Sequence, residues 1–284
     1  MVRVPSFDNL RSALDDARER VIRRGTTGVS ELFWAALFVV GLGIVFALAT
    51  GGYHGGFHTV HTLTQAILPE EAWEWLTRFG DARLLFVVGL LFIRRRPEIF
   101  WTLVVAALIA GLSARGLKIY FDQLRPPAVL DGTQIHVIGP ALKHHSFPSG
   151  HSLSIFVFCG VLAGYFRTWR ARGALAAAAV LVGTSRVALG VHWPQDVVAG
   201  AFLGLIIAGA AIWLTRFWRV GLRPQVHLAL LLLPVIALLL LLIDDQGNPA
   251  EPELIYPLVA IGAAKLIYDY RDLIIGAIRR ALTR

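Results

Sequence analysis

Residues 185–196 read Ser185-Arg186-Val187-Ala188-Leu189-Gly190-Val191-His192-Trp193-Pro194-Gln195-Asp196, and an apolar run long enough to cross a bilayer lies on either side. The stretch sets a guanidinium, an imidazole and a carboxylate at a membrane boundary. Ionisable groups are costly there and mark functional sites by default. The helical spacing of Asp196, Gly200 and Gly204 puts all three on one face. Small residues at intervals of four let membrane helices approach closely, so the carboxylate is expected to point at a neighbouring helix and not at lipid.

The 284 residues are 56% hydrophobic and only 16% charged, with a mean hydropathy of +0.63. That is more apolar surface than a soluble domain of this length needs, and it predicts an all-α, polytopic transmembrane helix bundle. The net charge of +8 sits in short arginine clusters between apolar runs, so it reads as membrane topology and not as a nucleic-acid surface. The single cysteine, Cys159, lies within an apolar run; it forms no internal disulfide and reads as a small core residue.

Spans are expected at 32–49, 81–93, 99–119, 151–166, 173–190, 195–215, 226–243 and 254–270. The first begins too late and lacks the cleavage pattern of a removable signal peptide, which makes it a signal anchor. Arg83 shortens the second, but eight spans place 19 of the 27 lysines and arginines on one side, together with both termini. That side is then cytoplasmic, of the inner membrane in a bacterial cell. The division predicted is a cytoplasmic surface amphipathic helix in 1–30, six core spans in 31–215, and two further spans with a basic tail in 216–284. Within the first part, Phe7, Leu10, Leu14, Ala17 and Val21 recur at helical spacing. Residues 51–79 read as a connector rich in Gly, His and Trp, suited to the interface.

Under that topology Lys118, Arg125, His151, Arg186, His192 and Asp196 gather on the outer face, a grouping that arginines merely snorkelling at helix ends explain poorly. In Phe147-Pro148-Ser149-Gly150-His151, Pro148 presets a turn, Ser149 is a good helix cap and Gly150 lets the backbone approach a ligand. Free amides at a helix start favour anions, phosphate above all. An ordinary helix cap accounts for Ser149 and Gly150 but leaves His151 unexplained.

Three ordered groups, Lys118-x6-Arg125-Pro126, Pro148-Ser149-Gly150-His151 and Ser185-Arg186-x5-His192-x3-Asp196, together resemble the signature of the type 2 phosphatidic acid phosphatase superfamily, the lipid phosphate phosphatases. The resemblance spans about residues 80–215. It implies a six-helix phosphatase core with the site on the outer face, two extra C-terminal spans lying outside it, and a metal-independent enzyme with no cofactor. It also implies roles: His192 as nucleophile forming a phosphohistidine, Asp196 orienting it, and His151 as general acid and then base. Lys118, Arg125 and Arg186, with Ser149 and the Gly150 amide, would hold the phosphate. The expected reaction is hydrolysis of a lipid-linked phosphomonoester or pyrophosphate, such as undecaprenyl pyrophosphate, phosphatidylglycerophosphate or phosphatidic acid. The expected partners are that lipid and the surrounding membrane lipids. A lipid-to-lipid phosphotransferase uses the same groups, and a small transporter lined by these charges is a third reading.

Other polar residues read more plainly. His54, His58 and His61 are spaced for a transition metal, but they lack nearby Cys or acidic partners and read as interfacial residues. His144 and His145 read as loop residues or head-group contacts. Arg115 either extends the phosphate pocket or pairs with Asp122, and Lys265 faces the bundle or snorkels.

Overall fold

In this computed structural model the described residues, 7–243 and 251–282, contain helices and no strand. The helices are α1 (Phe7–Arg24), α2 (Val29–Thr50), α3 (Phe57–Ile67), α4 (Glu70–Arg78), α5 (Ala82–Ile93), α6 (Pro97–Phe121) and α7 (Pro126–Val129). They continue with α8 (Gly150–Tyr165), α9 (Trp169–Ala188), α10 (Pro194–Thr215), α11 (Pro224–Leu230), α12 (Leu232–Ile243) and α13 (Glu251–Leu282). Their starts follow local chemistry. The side chains of Asp81, Ser149 and Thr168 cap α5, α8 and α9, and Pro97 and Pro194 occupy first turns where no amide donor is needed.

By length and composition, Val29–Thr50, Pro97–Val129, Pro194–Thr215 and Pro224–Ile243 are long and apolar enough to cross a membrane. The other four expected spans also fall on helices. Ala82–Ile93 and Gly150–Tyr165 are apolar but shorter, α9 carries Arg170, Arg172 and Arg186, and α13 carries Lys265, Asp269, Arg271 and Asp272. The chain is a multi-pass membrane helix bundle.

Helix α8 is apolar all round and buried along most of its length, so it forms the centre of the bundle, with α5, α6, α9 and α10 around it. Its closest partner is α10. A Cβ on Gly200 would lie 2.7 Å from the Ser149 carbonyl oxygen, and one on Gly204 would lie 2.9 Å from that of Leu153. Only hydrogen fits, and the two backbones touch as the small-residue spacing predicts. This seam fixes α10, which carries Asp196, against the start of α8, which carries His151.

Several expectations are refined. The apolar stripe of α1 (Leu10, Leu14, Ala17 and Val21) is buried against the bundle end and not laid on lipid. Residues 51–79 fold into α3 and α4, which pack on α9 at the end of the bundle where Arg186 lies. The run 226–243 divides into α11 and α12 because Pro234 lacks an amide hydrogen and its ring crowds the carbonyl of Leu230. The parts of 216–284 at 244–250 and 283–284, and residues 1–6 of the N-terminal segment, lie outside the described residues. Lys265 pairs with Asp269 one turn along α13.

Candidate active site

One end of the bundle collects the C-terminal ends of α6 and α9 and the N-terminal ends of α8 and α10. Between α9 and α10 the chain reverses in a tight turn, where the amides of Val191 and His192 both donate to the Arg186 carbonyl at 3.2 Å. Gly190 takes φ +73° there, and a Cβ would meet the His136 carbonyl at 3.1 Å, so the turn requires glycine. The turn buries His192 at the bundle surface, 1% exposed, beside Asp196, which is 0% exposed.

The imidazole is held at both nitrogens. Nδ1 lies 3.1 Å from Asp196 Oδ2, and Nε2 lies 3.1 Å from Arg125 Nη1. A guanidinium only donates and a carboxylate accepts, so the proton belongs on Nδ1 and the lone pair on Nε2. Burial, followed by the charges of Arg125, Arg186 and Lys118, holds the His192 ring well below the ordinary imidazole range. The result is a neutral imidazole with its lone pair turned toward fixed positive charge.

Asp196 is held as firmly. Its Oδ2 accepts from Ser146 Oγ at 2.5 Å and from the Trp193 amide at 2.9 Å, and its Oδ1 accepts from the Tyr53 hydroxyl.

The three cations are positioned by neutral groups. Lys118 Nζ donates to the His145 carbonyl at 2.9 Å. Arg125 donates through Nε to the His144 carbonyl at 2.9 Å and through Nη1 to the Val191 carbonyl at 3.1 Å. Arg186 Nη1 donates to Thr77 Oγ1 at 2.6 Å, while its buried Nε has no hydrogen-bond partner among the described residues. An unmatched buried donor costs about 1–3 kcal/mol and suits a ligand rich in acceptors. Two backbone bonds close the connector 122–149 on itself, from the Arg125 amide to the Lys143 carbonyl at 2.9 Å and from the Ser146 amide to the Gln123 carbonyl at 2.8 Å, and the Ile138 and Ser149 amides tie it to the Leu189 and Asp196 carbonyls at 3.2 and 3.1 Å.

Ser149 caps α8, accepting from the Ser152 amide at 3.4 Å and from its hydroxyl at 2.9 Å. The side of Gly150 that a Cβ would occupy is open, with Lys118 Cε nearest at 3.9 Å. His151 follows, within electrostatic range of Arg186, His192 and Arg125. From His151 and Gly150 an apolar cavity of about 250 Å³ runs between α5, α6 and α8, lined by Leu85, Phe86, Leu103, Ala110 and Val157 among others. All eight residues expected at the site therefore come together at one end of the bundle.

Sequence reasoning missed Tyr53, Thr77 and Ser146, and missed that His144 and His145 act through their carbonyls. Ser146 lies next to the second motif, which is a usable signal; Tyr53 and Thr77 carry none. His54, His58 and His61 form no metal cluster among the described residues. His54 packs on Trp193 with 4.1 Å between centroids and the rings tilted by 32°, and His61 bonds the Val187 carbonyl at 2.9 Å, so two of the three pack against the third motif. Arg115 is exposed, and Asp122 pairs with His145 at 3.1 Å and not with Arg115.

Comparison with known proteins finds a family match over the stretch that carries this geometry. Residues 99–220, which contain all eight site residues, match the PAP2 superfamily. An undecaprenyl-diphosphatase of Sulfolobus acidocaldarius is 36% identical over 133 residues, covering 46% of this chain and 63% of that protein. The match thus spans less than two thirds of that relative's length. A lipid A 1-phosphatase of Rhizobium johnstonii is 29% identical over 214 residues, covering 66% of this chain and 82% of the relative. The crystal structure of Aquifex aeolicus LpxE superposes with a TM-score of 0.50 at 26% identity, covering 55% of this chain and 91% of that one.

Proposed function

We propose that the PAP2 superfamily domain carried over residues 99–220 hydrolyses the phosphate or pyrophosphate of a membrane lipid through a phosphohistidine. The observation that carries this reading is His192, held with Nδ1 on Asp196 and with Nε2 beside Arg125.

The chemistry follows from the tautomer. The Nε2 lone pair attacks phosphorus, the bond from phosphorus to the leaving oxygen breaks, and His151 supplies a proton to that oxygen. Asp196 stabilises the positive charge the ring acquires. Water then attacks the phosphohistidine, gives its proton to His151, and the phosphorus–nitrogen bond breaks to release phosphate. Lys118, Arg125 and Arg186 offset the charge on the equatorial oxygens, and the amides at the start of α8 add to the cradle. Arg125 has to swing from Nε2 to the phosphate oxygens as substrate enters, a short movement for a side chain already 3.1 Å from the reacting atom.

The apolar cavity of about 250 Å³ that starts at His151 supports a hydrocarbon tail on the substrate, each buried methylene contributing about 0.8 kcal/mol. The similarity to an undecaprenyl-diphosphatase and to a lipid A 1-phosphatase favours an isoprenoid diphosphate or lipid A. The arginine clusters Arg94–Arg96, Arg167, Arg170 and Arg172 lie at the other end of the bundle. By the positive-inside rule this placement supports a cytoplasmic assignment for that end and an outer-face site in a bacterial inner membrane.

The test is phosphate release from a panel of polyprenyl diphosphate, phosphatidylglycerophosphate, phosphatidic acid and lipid A, with His192→Ala as the blank. At least one lipid is expected to lose phosphate in the wild type, with the variant slower by about a thousandfold or more. Label passing from a lipid donor to a second lipid, with none released as free phosphate, makes the chain a phosphotransferase. No release from any lipid by the wild type overturns the enzyme reading in favour of transport.

A further inference from the structure

Asp196 spends its two oxygens unequally. Oδ2 faces His192, the Ser146 hydroxyl and the Trp193 amide, whereas Oδ1 has one hydrogen-bond donor among the described residues, the hydroxyl of Tyr53. Tyr53 lies in the turn after α2, outside the matched domain and 143 residues from its acceptor. Its surroundings hold it there: its ring meets Phe147 with 6.2 Å between centroids, and its neighbours His54 and Phe57 both pack on Trp193, at 4.1 Å and 5.1 Å.

We infer that Tyr53 is a positioning residue that sets the basicity of His192 through Asp196. The inference rests on the proposed role of His192 as nucleophile. A hydrogen bond into a carboxylate withdraws negative charge from it, and the oxygen that serves His192 belongs to the same carboxylate. Removing the hydroxyl leaves Asp196 more strongly negative, which favours the protonated ring. A protonated ring has no lone pair on Nε2, so the reaction starts at a higher pH. The other groups bearing on His192 are Lys118 on α6, Arg125 in the connector, His151 on α8 and Arg186 on α9. None of these is hydrogen-bonded to Tyr53 among the described residues. Burial and the neighbouring Asp196 push the Tyr53 phenol up, so its hydroxyl keeps its proton throughout the working range.

The experiment measures kcat/KM against pH for phosphate release from phosphatidic acid and a polyprenyl diphosphate in detergent, using the full chain. Tyr53→Phe keeps every ring contact and loses only the donor. Its acid limb is expected to move up by about 0.5–1 pH unit, whereas a purely structural ring leaves the limb in place. Incorporating 3-fluorotyrosine at position 53 strengthens the donor and is expected to move the limb down; it decides the matter alone if Tyr53→Phe does not fold. If His192→Ala is inactive and neither change at position 53 moves the limb, the inference about Tyr53 is wrong and the nucleophile stands. If His192→Ala still releases phosphate at the wild-type rate, the proposed chemistry fails first and takes the inference with it.

Discussion

The two ends of the bundle treat buried positive charge in opposite ways. At the end facing α1, Arg20, Arg96 and Arg172 are matched by carboxylates, although Arg24 is held by the Thr27 and Gly164 carbonyls. Glu98, 1% exposed, accepts from Arg20 Nε at 2.9 Å and from Arg96 Nε at 2.6 Å, and Glu31 meets Arg172 at 2.7 Å. At the other end Lys118, Arg125 and Arg186 have no salt bridge among the described residues. They donate to carbonyls of the connector, the Val191 carbonyl and the Thr77 hydroxyl. Dipoles fix a cation in place without cancelling its charge. The first end is therefore built for stability, and the second keeps a concentrated positive field for a ligand at some cost to stability.

The largest expected effect separates the two ends directly. Arg186→Met keeps the volume and removes the charge. It is expected to lower kcat/KM by about 10²–10³-fold, or about 3–4 kcal/mol of transition-state stabilisation. Its thermal midpoint in detergent is expected to stay level or rise, because a buried charge without a carboxylate partner has been removed. A fall in the midpoint as large as that of the next variant makes Arg186 a structural ion and ends the contrast.

Glu98→Gln is the counterpart at the other end. It leaves Arg20 and Arg96 facing each other without a carboxylate. Breaking a fully buried pair costs about 3–5 kcal/mol, and since both arginines are more than one third exposed or close to it (34% and 39%), about 2 kcal/mol is expected here. That corresponds to a midpoint lower by about 5 °C, with kcat within about twofold of wild type. Thermal melts and rates on the same preparations check both halves of the comparison.

The groups proposed to do the chemistry were legible in the sequence, and the groups that hold them were not. Lys118, Arg125, Arg186, His151, His192 and Asp196 are ionisable residues among apolar ones, and their type and spacing mark them. Their supports are backbone carbonyls of His144, His145 and Val191, which every residue possesses, and hydroxyls of Tyr53 and Thr77 from a segment far away in sequence. Helix α3 was hidden for a related reason: its buried stripe is Phe57, His61 and Thr64, so two of the three residues facing inward are polar. Their hydrogen bonds, to Val187 and within the helix, take the place of apolar contact. The stripe of α1 was legible but its partner was not, since an apolar face looks the same whether lipid or protein covers it. The division of 226–243 is written in Pro234, but the uninterrupted apolar run around it masks the break.

The smallest expected effect sharpens the comparison by asking how far the uncancelled charge reaches. His192 is neutral because burial, then Arg125, Arg186 and Lys118 in that order, penalise its protonated form. The sign is definite: as pH falls the ring gains a proton, Nε2 loses its lone pair, and the rate falls. The His192 contribution to the acid limb of kcat/KM is therefore expected well below the ordinary value of about 6.5. A lipid phosphomonoester has its own ionisation near 6, so one profile does not isolate the enzyme group. Comparing Lys118→Met with wild type on the same substrate does, because the free lipid titrates identically in both. Removing one of the three cations eases protonation of the ring and is expected to raise the limb by about half a pH unit. If the limb stays fixed while the rate falls, Lys118 acts on the substrate alone, and the field at this end of the bundle is a set of separate contacts and not a shared potential.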